Sequence, residues 1–120
     1  MKFSLDATPA HQISAYEPGR ISIGDQAYST SLVVTADRVS AWEVRHADEL
    51  APEHFRQLES LGPELVILGT GHRQVFPRPE TYRALLEAGI GVEVMGTAAA
   101  VRTFNLLLSD GRRVVGAFIV

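Results

Sequence analysis

The stretch "ELVILGTGHRQVFPRP", Glu64 to Pro79, decides how the chain is read. Leu65 to Leu68 is apolar without alternation, the pattern of a strand buried on both faces. The run stops at Gly69-Thr70-Gly71, and the polar His72-Arg73-Gln74 follows. Further on, "VEVMGTAAAVRTFN", Val92 to Asn105, repeats the pattern: an apolar strand, then Gly96-Thr97. Between the two, "RPETYRALLEAG" reads as a helix. Pro79 stands near its start, Gly89 suits the position past its end, and Tyr82, Leu85 and Leu86 share i, i+3, i+4 spacing. A strand–helix–strand crossover makes its strands parallel and is almost always right-handed. Parallel strands end at one edge, so both Gly-Thr turns are expected on the same side of the sheet. Ligands of open α/β sheets bind beyond that edge, which ranks these turns first as a site.

Working outward, "APEHFRQLESLG" reads as a helix, with Pro52 in its first turn, Phe55 and Leu58 inside and Gly62 beyond its end. "TAAAVRTFNLLLSDG" gives a third helix and "RRVVGAFIV" a last strand. The first third reads as antiparallel β-structure. "HQISAY" ends at Pro18-Gly19, and "RISIGDQAYSTSLVV" folds back at Gly24-Asp25 as a type II′ hairpin. Its return strand is expected to carry Tyr28, Thr30, Leu32 and Val34 on one face. "DRVSAW" is a further short extended segment, with Trp42 read as a core aromatic. The expected fold class is α/β: one domain over residues 1–120, with N-terminal antiparallel strands followed by αβαβαβ.

Composition sets the function classes. The 120 residues are 46% apolar, with a formal net charge of −3 and scattered basic residues. Without a basic stripe, nucleic-acid binding is not expected. The chain has no cysteine, which excludes thiol catalysis and cysteine zinc sites. No apolar run reaches the roughly 20 residues that span a bilayer, so membrane insertion is not expected. "MKFSLDATPAHQ" lacks the apolar segment of a secretory signal, and a cytoplasmic location is the expectation.

The catalytic motifs fail one by one. The dinucleotide fingerprint G-x-G-x-x-G has Gln74 at its last glycine, and Pro77 and Pro79 delay the helix that should open within it. No Gly-Lys-Ser/Thr follows for a P-loop, and no G-x-S-x-G elbow is present. His11, His46, His54 and His72 show no i, i+4 pair, so no metal site is expected. No cofactor is implied and no catalytic residue can be named.

What remains is a set of ligand-binding candidates: Thr70, His72, Arg73, Gln74, Glu93, Thr97, Arg102 and Asn105. Thr97 is placed to cap the third helix, and the small Ala98, Ala99 and Ala100 would let a small anion approach its free N–H groups. Arg102 and Asn105 share a helical face with Ala98. The ordinary reading is a capped helix with a solvated arginine, and an Asn105 amide bridging to backbone. At the first turn, an exposed His72 beside an exposed Arg73 is as ordinary as an acid–base role. Glu93 alternates with Val92 and Val94 and points to the opposite face, where Arg112, Arg113 or Arg73 is the expected ion-pair partner.

"ISAYEPGRISIGDQAYSTSLVV", "VSAW", "LVILGTGHRQVFP" and "GVEVMGTAAAVRTFNLLLSDGRRV" together resemble a small domain-of-unknown-function family. That family is similar to mitochondrial respiratory complex I assembly factor 3 and to a cytosolic animal protein linked to adipocyte differentiation. The resemblance runs from about Phe3 to Ile119. Its most specific parts are Gly69-Thr70-Gly71 with Gln74, Phe76 and Pro77, and the string Glu93, Met95, Thr97, Ala100, Asn105, Arg112. Gly96 departs from the polar or acidic residue of many relatives, which weakens a chemical role at that turn. The resemblance implies a three-layer α/β fold around a mixed sheet and no established reaction. It implies a protein partner in a respiratory or other membrane complex. Two readings stand: a non-catalytic binding or assembly module, with an exposed apolar patch, or a small-anion site between the Gly-Thr turns.

Overall fold

The computed structural model describes residues 12–120, so His11 and the stretch before it lie outside the described residues. The order is β1 (Ile13–Glu17), β2 (Arg20–Ile23), β3 (Gln26–Tyr28), β4 (Leu32–Val34), β5 (Val39–Ala41), α1 (Pro52–Glu59), β6 (Leu65–Gly69), α2 (Arg83–Glu87), β7 (Gly91–Met95), α3 (Thr97–Ser109) and β8 (Val114–Phe118). Strands β1-β2-β3 form one antiparallel sheet, and β5-β4-β8-β6-β7 form a second, mixed one. β6 pairs in parallel with β7 and β8, whereas β4 runs antiparallel to β8 and β5.

The unalternated run at β6 is explained by burial on both faces. Val66 and Leu68 point into one core with Phe55, Leu58, Leu85, Val115 and Trp42. Ile67 points into the other, with Phe104, Phe118, Val34 and the β1–β2 residues Ile13, Ile21 and Ile23. The layers are therefore α1 and α2, then the five-stranded sheet, then α3 with the three-stranded sheet. Phe104 of α3 meets Phe118 of β8 edge to face, with ring centres 5.4 Å apart. That arrangement suits the ring quadrupoles and locks α3 across the sheet.

Two local expectations are corrected. The hairpin turns at Gly24-Asp25 as expected, with Ile23 opposite Gln26. Its return strand, however, breaks after Tyr28, and β4 begins at Leu32 in the other sheet. Ser31 holds the break: its carbonyl accepts the Trp42 N–H at 2.8 Å and its hydroxyl oxygen accepts the Val120 N–H at 3.1 Å. The second helix is also shorter than its pattern. A 3-10 turn over Pro79–Tyr82 precedes α2, Leu85 is fully buried, and Leu86 faces outward at 50% exposure. By contrast, Phe55 and Leu58 of α1 are buried as expected.

Candidate functional site

β6 and β7 are neighbours in register, with Gly69 opposite Met95, so the two Gly-Thr turns lie side by side. They also fill the space between them. A Cβ on Gly69 would stand 2.8 Å from Thr97 Oγ1 and 3.1 Å from Thr97 Cα, so only glycine lets α3 settle on the end of β6. Gly71 then turns the chain with φ of +95°, a conformation other residues rarely adopt.

Thr97 does not cap α3. Gly96 occupies the cap position, and Thr97 is the first helical residue. The Thr97 hydroxyl, fully buried, accepts the Gly71 N–H at 2.8 Å and donates to the Ile119 carbonyl at 2.7 Å. The Thr97 N–H donates back to the Gly71 carbonyl at 2.8 Å. This one residue ties β6, β8 and α3 together, and each bond satisfies a group that burial would otherwise leave costly.

Thr70 organises the first turn. Its hydroxyl donates to the Arg73 carbonyl at 2.5 Å, with the Met95 carbonyl a second acceptor at 3.3 Å, and its oxygen accepts the Val75 N–H at 3.0 Å. The loop is thus pinned while its side chains face outward. His72, Arg73 and Gln74 are exposed, and so are Val75 at 44% and Phe76 at 68%. Gln74 Nε2 reaches across to the Val94 carbonyl at 3.1 Å.

A cavity of about 470 Å³ opens beside this turn, lined by Arg45, His46, Asp48, Thr70, His72 and Ile119 among others. Gly96 and Thr97 do not line it. Sequence reasoning missed Arg45 and Asp48. The available signal was a polar run, "EVRHADEL", between a strand and a helix, the usual place for a functional loop. Glu49 fixes that loop by accepting the Arg45 N–H at 2.8 Å, and this bond, first among its causes, holds the Glu49 carboxyl below the ordinary carboxylate range.

The remaining candidates lie elsewhere. Arg102 and Asn105 line a separate cavity of about 230 Å³ with Ala98, Ser14 and Tyr16, between α3 and β1. The Asn105 amide bridges to backbone: Oδ1 accepts the Ile13 N–H and Nδ2 donates to the Ile13 carbonyl, both at 2.8 Å. Glu93 sits exposed at the middle of β7, and the expected ion pair is not formed. Arg112 instead pairs with Glu64 at 3.0 Å, and the Arg113 N–H donates to the same carboxylate at 3.0 Å. Among the described residues no ion pair reaches Glu93 and no acidic–histidine cluster suits a metal. No described helix is long and apolar enough to cross a membrane.

The family model for proteins of unknown function DUF498/DUF598 matches residues 13–119. The chain belongs to that family. It is similar to NADH dehydrogenase [ubiquinone] 1 alpha subcomplex assembly factor 3 of Bos taurus, 38% identical over 84 residues. That match covers 68% of this chain but only 45% of the bovine protein. It is also similar to a 13 kDa major membrane protein of Francisella tularensis subsp. holarctica, 28% identical over 82% of each chain. Among solved structures, a Bordetella parapertussis protein superposes with a TM-score of 0.87 at 36% identity, covering 94% of this chain and 98% of the other. The three-layer arrangement is therefore that of a family fold.

Proposed function

We propose that this chain is a non-catalytic protein-binding module that assists assembly of a respiratory or other membrane complex. The carrying observation is the Val75–Phe76 pair. Thr70 spends its hydroxyl on fixing a loop whose two apolar side chains remain in solvent. A rigid exposed aromatic is a suitable anchor for a partner. The assembly-factor relatives support the direction of this reading. Crosslinking and affinity recovery from the native host test it. A reproducible partner lost on Phe76→Ser is expected, whereas no partner at low salt, or one indifferent to Phe76→Ser, contradicts the reading.

A second reading is favoured by the 470 Å³ cavity, where Arg45, His46 and His72 face one acidic residue, Asp48. It is a small-anion site at the Gly69-Thr70-Gly71 turn, displaced from the filled space beside Thr97. A thermal-shift titration with inorganic phosphate and small carboxylates tests it, because a ligand stabilises only the state that binds it. A shift abolished by Arg45→Ala is expected, and the absence of any shift contradicts it.

A further inference from the structure

We infer that the open edge of β7 is a docking rail for an extended segment of a partner protein, one that brings a basic side chain to Glu93. The inference rests on the protein-binding reading above and assigns it a surface. β7 ends the five-stranded sheet. In a parallel ladder the N–H and C=O of one residue point to the same neighbour, and alternate residues point to opposite sides. Gly91 donates to the Glu64 carbonyl and Met95 accepts the Thr70 N–H, so Gly91, Glu93 and Met95 serve β6. The backbone groups of Val92 and Val94 therefore point away from the sheet. Gln74 takes the Val94 carbonyl, which leaves the Val92 N–H, the Val92 C=O and the Val94 N–H without partners among the described residues.

These groups have the spacing that strand addition uses, in which main-chain bonds give affinity and alternate side chains give specificity. The charge on the edge selects the occupant. Glu93 projects midway between the open groups, exposed and without an ion pair among the described residues. In a two-fold antiparallel pairing of two copies, the Glu93 residues would stand opposite or diagonal to each other with Cβ atoms about 4.5–8 Å apart, which sets like charges side by side. Registers that use Val94 would also have to displace Gln74. A foreign strand with Lys or Arg facing Glu93 meets no such repulsion, and one that stops at the Val94 N–H leaves Gln74 in place. Gln74 then marks where the rail ends, and Phe76, two residues on, offers an apolar anchor beside it.

The test selects ten-residue peptides from a displayed random library against the full chain, then titrates the enriched peptides into isotope-labelled protein. The expected result is a shift of the Val92 and Val94 amides by peptides carrying Lys or Arg at alternate positions. Glu93→Arg should weaken them by at least about tenfold, the effect of losing some 1.4 kcal/mol. Val92→Pro should abolish binding, since it removes only an outward N–H and edge strands tolerate proline there. Should that variant misfold, Glu93→Arg alone decides the matter. Enriched peptides that shift Val75 and Phe76 but leave the β7 amides still, and bind both variants unchanged, would overturn the rail and leave the protein-binding reading standing. Shifts at Val92 and Val94 that grow with protein concentration alone would overturn it in favour of a second copy. A library that enriches nothing also overturns it, and the crosslinking experiment then decides separately whether any partner exists.

Discussion

Two strand edges in this molecule are met by side-chain amides, and they are met differently. At β1, Asn105 uses both ends of its amide, giving an acceptor to the Ile13 N–H and a donor to the Ile13 carbonyl. Its base is a thirteen-residue helix packed across the sheet, and the contact is partly buried. At β7, Gln74 reaches one carbonyl with one N–H, from an exposed loop. The first contact completes a sheet edge as a paired strand would, so it belongs to the fold. The second blunts an edge while leaving most of its backbone groups open, and an unpaired edge is a template for another strand.

The largest expected effect separates these two roles. Asn105→Leu removes both bonds and strands a donor and an acceptor at Ile13, so about 2–3 kcal/mol of stability should be lost, measured by urea unfolding. Asn105→Asp should cost less, about 1–2 kcal/mol near neutral pH, because the acceptor is kept while the donor is lost. Its deficit should shrink on acidification. A carboxylate set beside a carbonyl takes up a proton more readily than in the unfolded chain, so the donor begins to return above the ordinary Asp value of about 3.9 and is fully regained below it. A deficit that stays constant with pH would show that the Ile13 carbonyl is not the partner that matters.

Gln74→Ala should sit within about 0.5 kcal/mol of the parent, as exposed substitutions do. Its signature is expected at the edge instead, as a changed NMR shift of the Met95 amide, whose peptide group carries the Val94 carbonyl that Gln74 releases. A loss as large as that of Asn105→Leu would erase the distinction between the two edges.

Much of this was legible in the chain. The unalternated Leu65–Leu68 run gave a strand buried on both sides, and the Gly-Thr turns were placed at one edge from crossover geometry alone. The break after Tyr28 was not legible, because alternation continues through Thr30, Leu32 and Val34, while the sheet change depends on Ser31 meeting Trp42 and Val120. The same distance hid the work of Thr97. Its local pattern is that of a cap, but its hydroxyl is spent on Gly71 and on Ile119, 22 residues further along the chain. Asn105 is a poor helix former at mid-helix, and only the packing of α3 against β1 shows which backbone its amide serves.

The smallest effect expected is electrostatic and lies at the opposite end of β6. The Arg113 N–H, and after it the Arg112 guanidinium, hold the Glu64 carboxyl below the ordinary carboxylate range. A depressed folded-state pKa stabilises above the unfolded value of about 4.3 and stops doing so as pH falls through the folded one. Glu64→Gln should therefore flatten the acid limb of a thermal-denaturation series slightly. It should leave binding at β7 untouched, which makes it a control for charge changes at Glu93.

Native-state hydrogen exchange on the free protein tests the contrast between the edges most directly. The Ile13 amide, bonded to Asn105, should be protected, while the Val92 and Val94 amides exchange at rates close to those of an open chain. Val92 and Val94 amides as slow as that of Ile13 would contradict the open edge and, with it, the rail.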